Sequence, residues 1–247
     1  MRPATPGDFA KPMPRLSITE LVERFPDFRV AFVLAEPLAI REGRSPELAG
    51  EIAAAEADCR RRHGGIELSA IPGVAAWRSA YKGFGIKRTS YRSSVERLIK
   101  RVLAGQALPE INALVDLYNM VSLESGLCLG CDDLDKTSGD LVFRFSREGD
   151  SFIDMGAEVG EDPDDPPKLG EVVYADARQV LCRRWNWRQD ARTASNLESR
   201  RAMLTVQSNG FGEVEPAAER LAALIARECG GASRIAILDQ ARPSAEL

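Results

Sequence analysis

The stretch from Tyr81 to Gly139 reads YKGFGIKRTSYRSSVERLIKRVLAGQALPEINALVDLYNMVSLESGLCLGCDDLDKTSG and predicts two helices followed by a polar, acidic turn. Ser93 stands three residues before Glu96, so hydroxyl and carboxylate can each cap a free backbone N–H where the first helix begins. Gly105 is typical of a helix end. Between these signals, apolar residues recur with helical spacing and predict one buried stripe: Val95, Leu98, Ile99, Val102 and Leu103.

The second helix is expected to begin near Pro109, because proline favours the first turn of a helix. Its buried side is expected to consist of Ile111, Leu114, Val115, Tyr118 and either Val121 or Ser122. Beside this face, Asn112, Asp116 and Asn119 follow i, i+4, i+7 spacing, which aligns three hydrogen-bonding side chains along one edge. That edge is the first candidate for a functional site. For Asp116, a structural role that pins the helix to its neighbour stays equally open.

Shorter signals predict further elements on both sides of this stretch. Ser45, Pro46 and Glu47 supply an N-cap, a first-turn proline and a first-turn acid for a helix that runs toward His63. A later helix is predicted at 214–227, and strands are predicted at 29–35, 140–145, 171–174, 180–182, 203–207 and 234–238. Because helices and strands mix in blocks, the pattern predicts an α+β fold with one mixed or antiparallel sheet covered by helices.

The size and composition of the chain allow one large domain or two small ones. Its 247 residues, 44% of them hydrophobic, can bury a substantial core. A single domain is expected to span 16–240, with an N-terminal part at 16–80 and the main part at 81–210, between a flexible tail at 1–15 and a second tail at 241–247. No segment has the apolar length of a membrane span, and the first residues lack a secretory apolar stretch. A cytoplasmic protein without membrane contact is expected.

The cysteines and the only histidine give weak signals for metal or nucleophilic chemistry. Five cysteines without a regular framework argue against a disulfide scaffold. Cys128 and Cys131 have the spacing of metal and redox sites, but no second close pair accompanies them, so packing is the favoured interpretation. His63 follows three arginines at a predicted helix end, where a cationic terminus explains it. Since glycine-rich phosphate-binding motifs are also missing from the sequence, no metal and no cofactor are expected.

The charge distribution leaves contact with RNA open. The net charge of −4 argues against nonspecific coating of nucleic acid. Locally, basic residues recur over 78–101, interrupted only by Glu96, and a second basic run, CRRWNWR, spans 182–188. Arginine beside tryptophan can contact phosphate and stack on a base. The alternatives are a solvated helix face for the first run, which is equally open, and a structural or pocket role for the second, which is favoured.

Two blocks of sequence carry a family resemblance. The run INALVDLYNMVSLESGLCLGCDDLDKTSGDLVFRFSREGDSF at 111–152, together with VVYAD at 172–176, resembles the B3/B4 domain of the phenylalanyl-tRNA synthetase beta subunit in its freestanding bacterial form. The resemblance extends from Tyr81 to about Gln207. In the synthetase family this domain is the editing site, which hydrolyses the wrongly made tyrosyl ester of the phenylalanine tRNA. The resemblance therefore implies a B3/B4-like fold, a tRNA partner and an aminoacyl-tRNA deacylase.

The resemblance also assigns roles to individual residues. It marks Asn119, in the VDxxN block, as a polar group of the pocket. Gly130 stands near the position of a histidine in the synthetase family, and Gln207 takes the place of a glutamate that ends the strand MLTVQ in freestanding proteins. An amide can form hydrogen bonds there but cannot act as a carboxylate base. Catalytic roles are expected for Asn119, Gln207 and Thr193, and binding of the substrate or of the tRNA end for Asn112, Asp116, Asn186, Gly130, Lys82, Arg92, Arg183 and Arg184.

Ester hydrolysis is compatible with a protein that has one histidine. The reaction needs a water aligned with the carbonyl carbon and donors for the developing oxyanion, and a neighbouring ribose hydroxyl can help to position that water. Selectivity would come from a second sieve that accepts the noncognate side chain. Two alternatives remain: a noncatalytic module that binds tRNA or a protein partner, and a hydrolase of free amino-acid esters. Ser93 as a nucleophile is disfavoured, since capping explains it.

Overall fold

The structure is a computed structural model and describes residues 13–86, 91–157 and 162–247. Its strands are β1 (Arg15–Ser17), β2 (Phe28–Glu36), β3 (Cys128–Asp133), β4 (Leu141–Phe145), β5 (Val172–Ala175), β6 (Val180–Arg183), β7 (Arg188–Gln189), β8 (Ala202–Asn209), β9 (Ala232–Leu238) and β10 (Ser244–Glu246). Its helices are α1 (Pro46–His63), α2 (Pro72–Gly83), α3 (Ser94–Leu103), α4 (Ala113–Ser125) and α5 (Val214–Cys229). Residues 1–12 of the expected tail, and Lys87 and Arg88 of the first basic run, lie outside the described residues.

The strands form two sheets, so the α+β prediction is confirmed but the expectation of one sheet is wrong. The four-stranded sheet has the order β3-β8-β2-β9 and is antiparallel throughout. The six-stranded sheet has the order β10-β1-β4-β5-β6-β7 and is mixed, because β1 and β4 run parallel. β10 pairs with β1, so the expected tail at 241–247 contributes a strand.

The two sheets face each other across a layer of aromatic side chains. Phe32 of β2 lies 6.0 Å from Phe143 and 6.1 Å from Tyr174, measured between ring centroids, and these two rings stack at 4.6 Å. Trp185, which is fully buried, packs edge-on against Phe28 at 4.8 Å. On the opposite side of the four-stranded sheet, α4 contacts β3 and α5 contacts β2, β8 and β9. The molecule therefore has three layers, one of helices and two of strands.

Local capping signals predicted two helix starts correctly. The Ser45 hydroxyl accepts a hydrogen bond from the Leu48 amide at the start of α1, with Pro46 in the first turn. The Ser93 hydroxyl accepts from the Glu96 amide at the start of α3. Both predictions are confirmed. In the part of the chain that the structure describes, no helix combines the length and apolar character needed to cross a bilayer.

The start of α4 corrects the prediction for the second helix. The helix begins at Ala113 rather than near Pro109, and Asn112 is its N-cap, with the side-chain oxygen accepting from the Val115 amide at 3.0 Å. Ile111 lies outside the helix and is 56% exposed, although a buried position was expected. Asn112 is therefore engaged by the backbone and does not line the cavity described below.

Asp116 holds the first turn of α4 against the preceding segment. Its side chain is fully buried, and its two carboxylate oxygens accept hydrogen bonds from the Ile111 amide at 2.9 Å and from Arg44 Nε at 2.6 Å. Arg44 also donates to the carbonyl of Pro109 at 2.7 Å. Asp116 consequently has the structural role, and the expectation that it binds substrate is wrong.

Replacement of Asp116 with alanine is expected to lower the free energy of unfolding by about 3–5 kcal/mol, because the largely buried Arg44 would lose its partner. Urea denaturation measures this change. The control is Asp58→Ala, which breaks a surface pair with Arg61 and Arg62 and should have a much smaller effect. Equal effects of the two substitutions would contradict the structural role of Asp116.

Candidate functional site

A cavity of about 810 Å³ lies at the edge of the four-stranded sheet, along the side of β3 that faces away from β8. Its walls come from α3, α4, β3, β8 and the turn between β6 and β7. The polar side chains in its lining are Ser94, Gln106, Tyr118, Asn119, Asp132, Tyr174, Asn186, Gln189, Thr205 and Gln207. The basic ones are Arg92, Arg97, Lys100, Arg101 and Arg188.

The outer edge of β3 directs backbone polar groups toward this cavity. The Asp133 amide donates to the Thr193 carbonyl at 2.9 Å, and the Cys131 carbonyl accepts a hydrogen bond from Gln189 Nε2. Both groups therefore point away from β8. Since a strand presents alternate residues to the same edge, the N–H groups of Leu129 and Cys131 face outward as well, and both residues line the cavity. This edge can supply hydrogen-bond donors to a bound carbonyl oxygen.

A chain of buried amides forms one end of the cavity. The Tyr81 hydroxyl donates to Asn186 Oδ1 at 2.9 Å, and Asn186 Nδ2 donates to Gln207 Oε1 at 3.2 Å. Gln207 Nε2 in turn donates to the Thr205 hydroxyl at 2.9 Å. Gln207 keeps one amide hydrogen and one lone pair for further bonds. The network orients Gln207 without saturating it.

The turn between β6 and β7 brings Asn186 into this network. Arg184 and Trp185 adopt left-handed backbone conformations, with φ of 47° and 67°, which are uncommon for residues other than glycine. Trp185 fills the core, and the Trp187 amide closes the turn on the Arg183 carbonyl at 3.1 Å. Packing holds this backbone in place. The two strained residues directly precede Asn186, a candidate functional residue.

Asp132 forms the other end of the cavity and was missed in the sequence, where it was read as part of an acidic turn. Asp132 is 4% exposed. Its Oδ1 accepts hydrogen bonds from the Thr193 hydroxyl at 2.7 Å and from Gln189 Nε2 at 3.0 Å. Burial raises the pKa of Asp132 to about 7, although these two hydrogen bonds oppose the change. A visible signal was the alternation of Cys128, Gly130 and Asp132, which places all three on one face of a strand.

Aromatic and basic side chains surround the cavity on the α3 side. The guanidinium of Arg184 lies between Tyr91 and Trp187, 3.9 and 4.3 Å from the ring centroids. Arg97 Nη1 donates to the Trp187 carbonyl at 3.1 Å. Arg97, Lys100 and Arg101 are exposed on α3. Together with the half-buried Arg92 and Arg188, these three residues form a cationic rim.

The structure brings five of the predicted site residues together in the cavity. These residues are Asn119, Gln207, Asn186, Gly130 and Arg92. Asn119 is half-buried on α4. Gly130 leaves open space, because a Cβ built there would meet only Thr205 Oγ1, at an ordinary 3.6 Å. Their individual roles remain predictions.

Four other predicted site residues lie elsewhere, in addition to Asn112 and Asp116. Thr193 is fully buried behind Asp132, so a direct catalytic role is wrong. Lys82 lines a separate cavity of about 320 Å³ beside α2. Arg183 is buried in an ion pair with Glu171, with Nε 2.9 Å from the carboxylate, and Arg184 is buried in its aromatic stack. Both arginines are therefore buried rather than exposed at the surface.

The two cysteines of the CxxC motif pack into different surroundings. Because they stand three residues apart on β3, their side chains point to opposite faces of the sheet. Both residues are buried, and burial raises the pKa of the Cys128 thiol to about 11. Among the described residues, no group of three or more histidine, cysteine, aspartate or glutamate side chains could hold a metal ion. His63 ends α1 within its basic last turn.

Comparison with known proteins gives three kinds of match. The family model described as the B3/4 domain matches residues 76–230. The phenylalanine–tRNA ligase beta subunits of Bordetella pertussis and Bordetella parapertussis are 33% identical over 102 residues, which is 41% of this chain and 12% of each relative. An N-terminal fragment of the phenylalanyl-tRNA synthetase beta subunit from Pyrococcus horikoshii aligns over 92% of this chain and 53% of its own length, with 11% identity and a TM-score of 0.46.

The raised pKa of Asp132 makes stability depend on pH. The folded state retains a proton that the unfolded chain releases at a pKa of about 4, so stability falls as pH rises from about 4 to 7. Asp132→Asn should therefore raise the free energy of unfolding at pH 8 by as much as about 4 kcal/mol and change it little at pH 4. Urea denaturation at both pH values measures this effect. If Asp132→Asn were less stable than the wild type at pH 8, this result would contradict the conclusion that the Asp132 carboxylate is buried without a cationic partner.

Proposed function

We propose, because the chain belongs to the B3/4 domain family, that its cavity binds the aminoacylated 3′ end of a mischarged tRNA and hydrolyses the ester. One observation carries this proposal: amide side chains from three separate elements line a single cavity beneath a cationic rim. Asn119 comes from α4, Gln207 from β8 and Asn186 from the β6–β7 turn. The matched relatives are named as phenylalanine–tRNA ligase subunits, and the matched segment is a small part of each, so the tRNA substrate is part of the proposal.

The rim suits the phosphates of a tRNA end. Arg97, Lys100 and Arg101 repeat along one exposed side of α3, and Arg188 lies across the cavity beside Trp187. Cations on a rigid helix attract a polyanion and orient it before the ester enters. The half-buried Trp187 offers an aromatic edge for the terminal base. The net charge of −4 is compatible with this role because the basic groups of the rim lie together along one cavity.

In the proposed reaction, a water molecule adds to the ester carbonyl carbon. The carbonyl oxygen becomes an oxyanion, which the outward N–H group of Leu129 and the remaining amide hydrogen of Gln207 can stabilise. Collapse of this intermediate breaks the bond to the ribose oxygen, which takes up a proton, and releases the free amino acid and the uncharged tRNA. Asn119 can hold the attacking water, helped by the neighbouring ribose hydroxyl.

Incubation of the purified protein with a panel of mischarged tRNAs tests this function directly. Release of amino acid above the spontaneous rate is expected for at least one tRNA. Retention of intact aminoacyl-tRNA on the protein would instead favour the noncatalytic binding module. Equal rates on free amino-acid esters would favour a small-molecule hydrolase.

Asn119→Ala is expected to lower kcat for the hydrolysed tRNA at least roughly tenfold, since one polar group that acts on the transition state is removed. Single-turnover deacylation measures the effect. The control is Gln179→Ala, which removes an amide from the β5–β6 turn outside the cavity and should leave the rate unchanged. Full activity of Asn119→Ala would show that Asn119 does not take part in the reaction.

The double substitution Lys100→Glu, Arg101→Glu is expected to lower kcat/KM for aminoacyl-tRNA about tenfold or more at low salt. Hydrolysis of an aminoacyl-adenosine, which lacks the phosphates, should change little. Arg178→Glu, an exposed charge reversal outside the cavity, serves as the control. An equal loss on both substrates would contradict a role of the rim in binding phosphate.

A further inference from the structure

The Asp132 end of the cavity has an acidic group that the proposed hydrolysis does not use. One carboxylate oxygen of Asp132 is held by Thr193 and Gln189, which leaves the other oxygen for a further bond. Among the residues that the structure describes, no cation forms an ion pair with this carboxylate. The charged groups that act on it most strongly are Asp190 and Asp176, which are also acidic. The free oxygen of this carboxylate can therefore accept a hydrogen bond from a cationic group.

Tyr174 supplies a second, independent sign that this end receives a ligand. The residue is 2% exposed and lines the cavity, and its hydroxyl has no hydrogen-bond partner among the described residues. Burial and the neighbouring Asp132 hold the pKa of this hydroxyl well above its usual value, so it stays protonated. Buried hydroxyl groups are nearly always paired in folded proteins. A bound polar group would satisfy it.

The strand register fixes how far this end lies from the amide end. In the β3–β8 pair, Asp132 stands opposite Met203, whereas Gln207 stands opposite Cys128. The two positions are four residues apart on one strand, which corresponds to roughly 13 Å. Gly130 lies midway on the same face and adds no side chain to the path. The cavity therefore has two polar ends with an open middle.

We propose that the cavity selects aminoacyl groups with a long basic side chain, whose terminal cation binds Asp132 and Tyr174 while the ester lies beside Gln207. This inference rests on the proposed function. The α-ammonium cannot take the same place, because it is one carbon from the ester carbonyl. A four-carbon side chain with a terminal ammonium can bridge the separation once hydrogen bonds of about 3 Å are added at its ends.

The preference follows from the chemistry of Asp132. A basic side chain gives the ionised carboxylate of Asp132 a cationic partner. An apolar side chain of equal length would remove water from this carboxylate and leave it without such a partner. A hydrogen bond to a charged group corresponds by itself to a discrimination of about tenfold to a hundredfold. The rim and Asp132 thus have separate tasks, since the rim attracts phosphates and Asp132 attracts the side chain.

Binding of two non-hydrolysable compounds tests the inference. The first is 3′-lysylamino-3′-deoxyadenosine, and the second carries 2-aminoheptanoyl in place of lysyl, which exchanges the terminal ammonium for a methyl group. Calorimetry should give at least tenfold tighter binding of the lysyl compound to the wild type. Asp132→Asn should abolish this preference. Asp135→Asn, an exposed acid outside the cavity, should retain it.

A second variant tests the path between the two ends. Gly130→Leu is expected to weaken binding of the lysyl compound at least tenfold more than binding of the corresponding alanyl compound, because the added side chain blocks the path to Asp132. Equal affinities of the wild type for the lysyl and 2-aminoheptanoyl compounds would overturn the inference and leave the proposed function intact. Failure of every compound to bind, together with no deacylation of any tRNA, would overturn both.

Discussion

The site depends on one constraint: β3 is an edge strand, and the backbone groups on its outer edge face a cavity. β8 satisfies one edge of β3, but the N–H and C=O groups of the other edge still need partners. Gln189 supplies one partner, to the Cys131 carbonyl, and the backbone of Thr193 supplies another, to the Asp133 amide. The backbone N–H groups of Leu129 and Cys131 are left facing the cavity. A pocket with polar walls follows from this incomplete pairing.

The buried acids divide into two groups according to their partners. Asp116, Glu96 and Glu171 each meet arginine, so their charges are compensated and they hold elements together. Asp132 meets only neutral donors, and its charged form is costly in a buried position. Groups of this kind cluster at functional sites. The aromatic layer between the two sheets offsets that cost by burying large apolar rings.

Local chemistry explains which elements could be predicted. The caps at Ser45 and Ser93 act on amides three residues away, so sequence alone reveals them. The start of α4 was misplaced because Pro109 is a valid first-turn residue, yet its carbonyl is bound by the distant Arg44. The sequence predicts no strand at β3 and places an acidic turn after the CxxC motif, because two of the six residues of β3 are acidic. Only pairing with β8 makes that segment a strand.

The α+β class, the helices α1 and α3 and the family resemblance can all be predicted from the sequence, because caps, periodicity and motif order are properties of neighbouring residues. The sequence also identified Asn119, Asn186 and Gln207 as polar candidates. Tertiary structure alone decided which candidates share a cavity and which are used up in the core. Arg183 lies in the core and Asp132 lines the cavity because partners in other elements set their burial and hydrogen bonding. No local pattern contains that information.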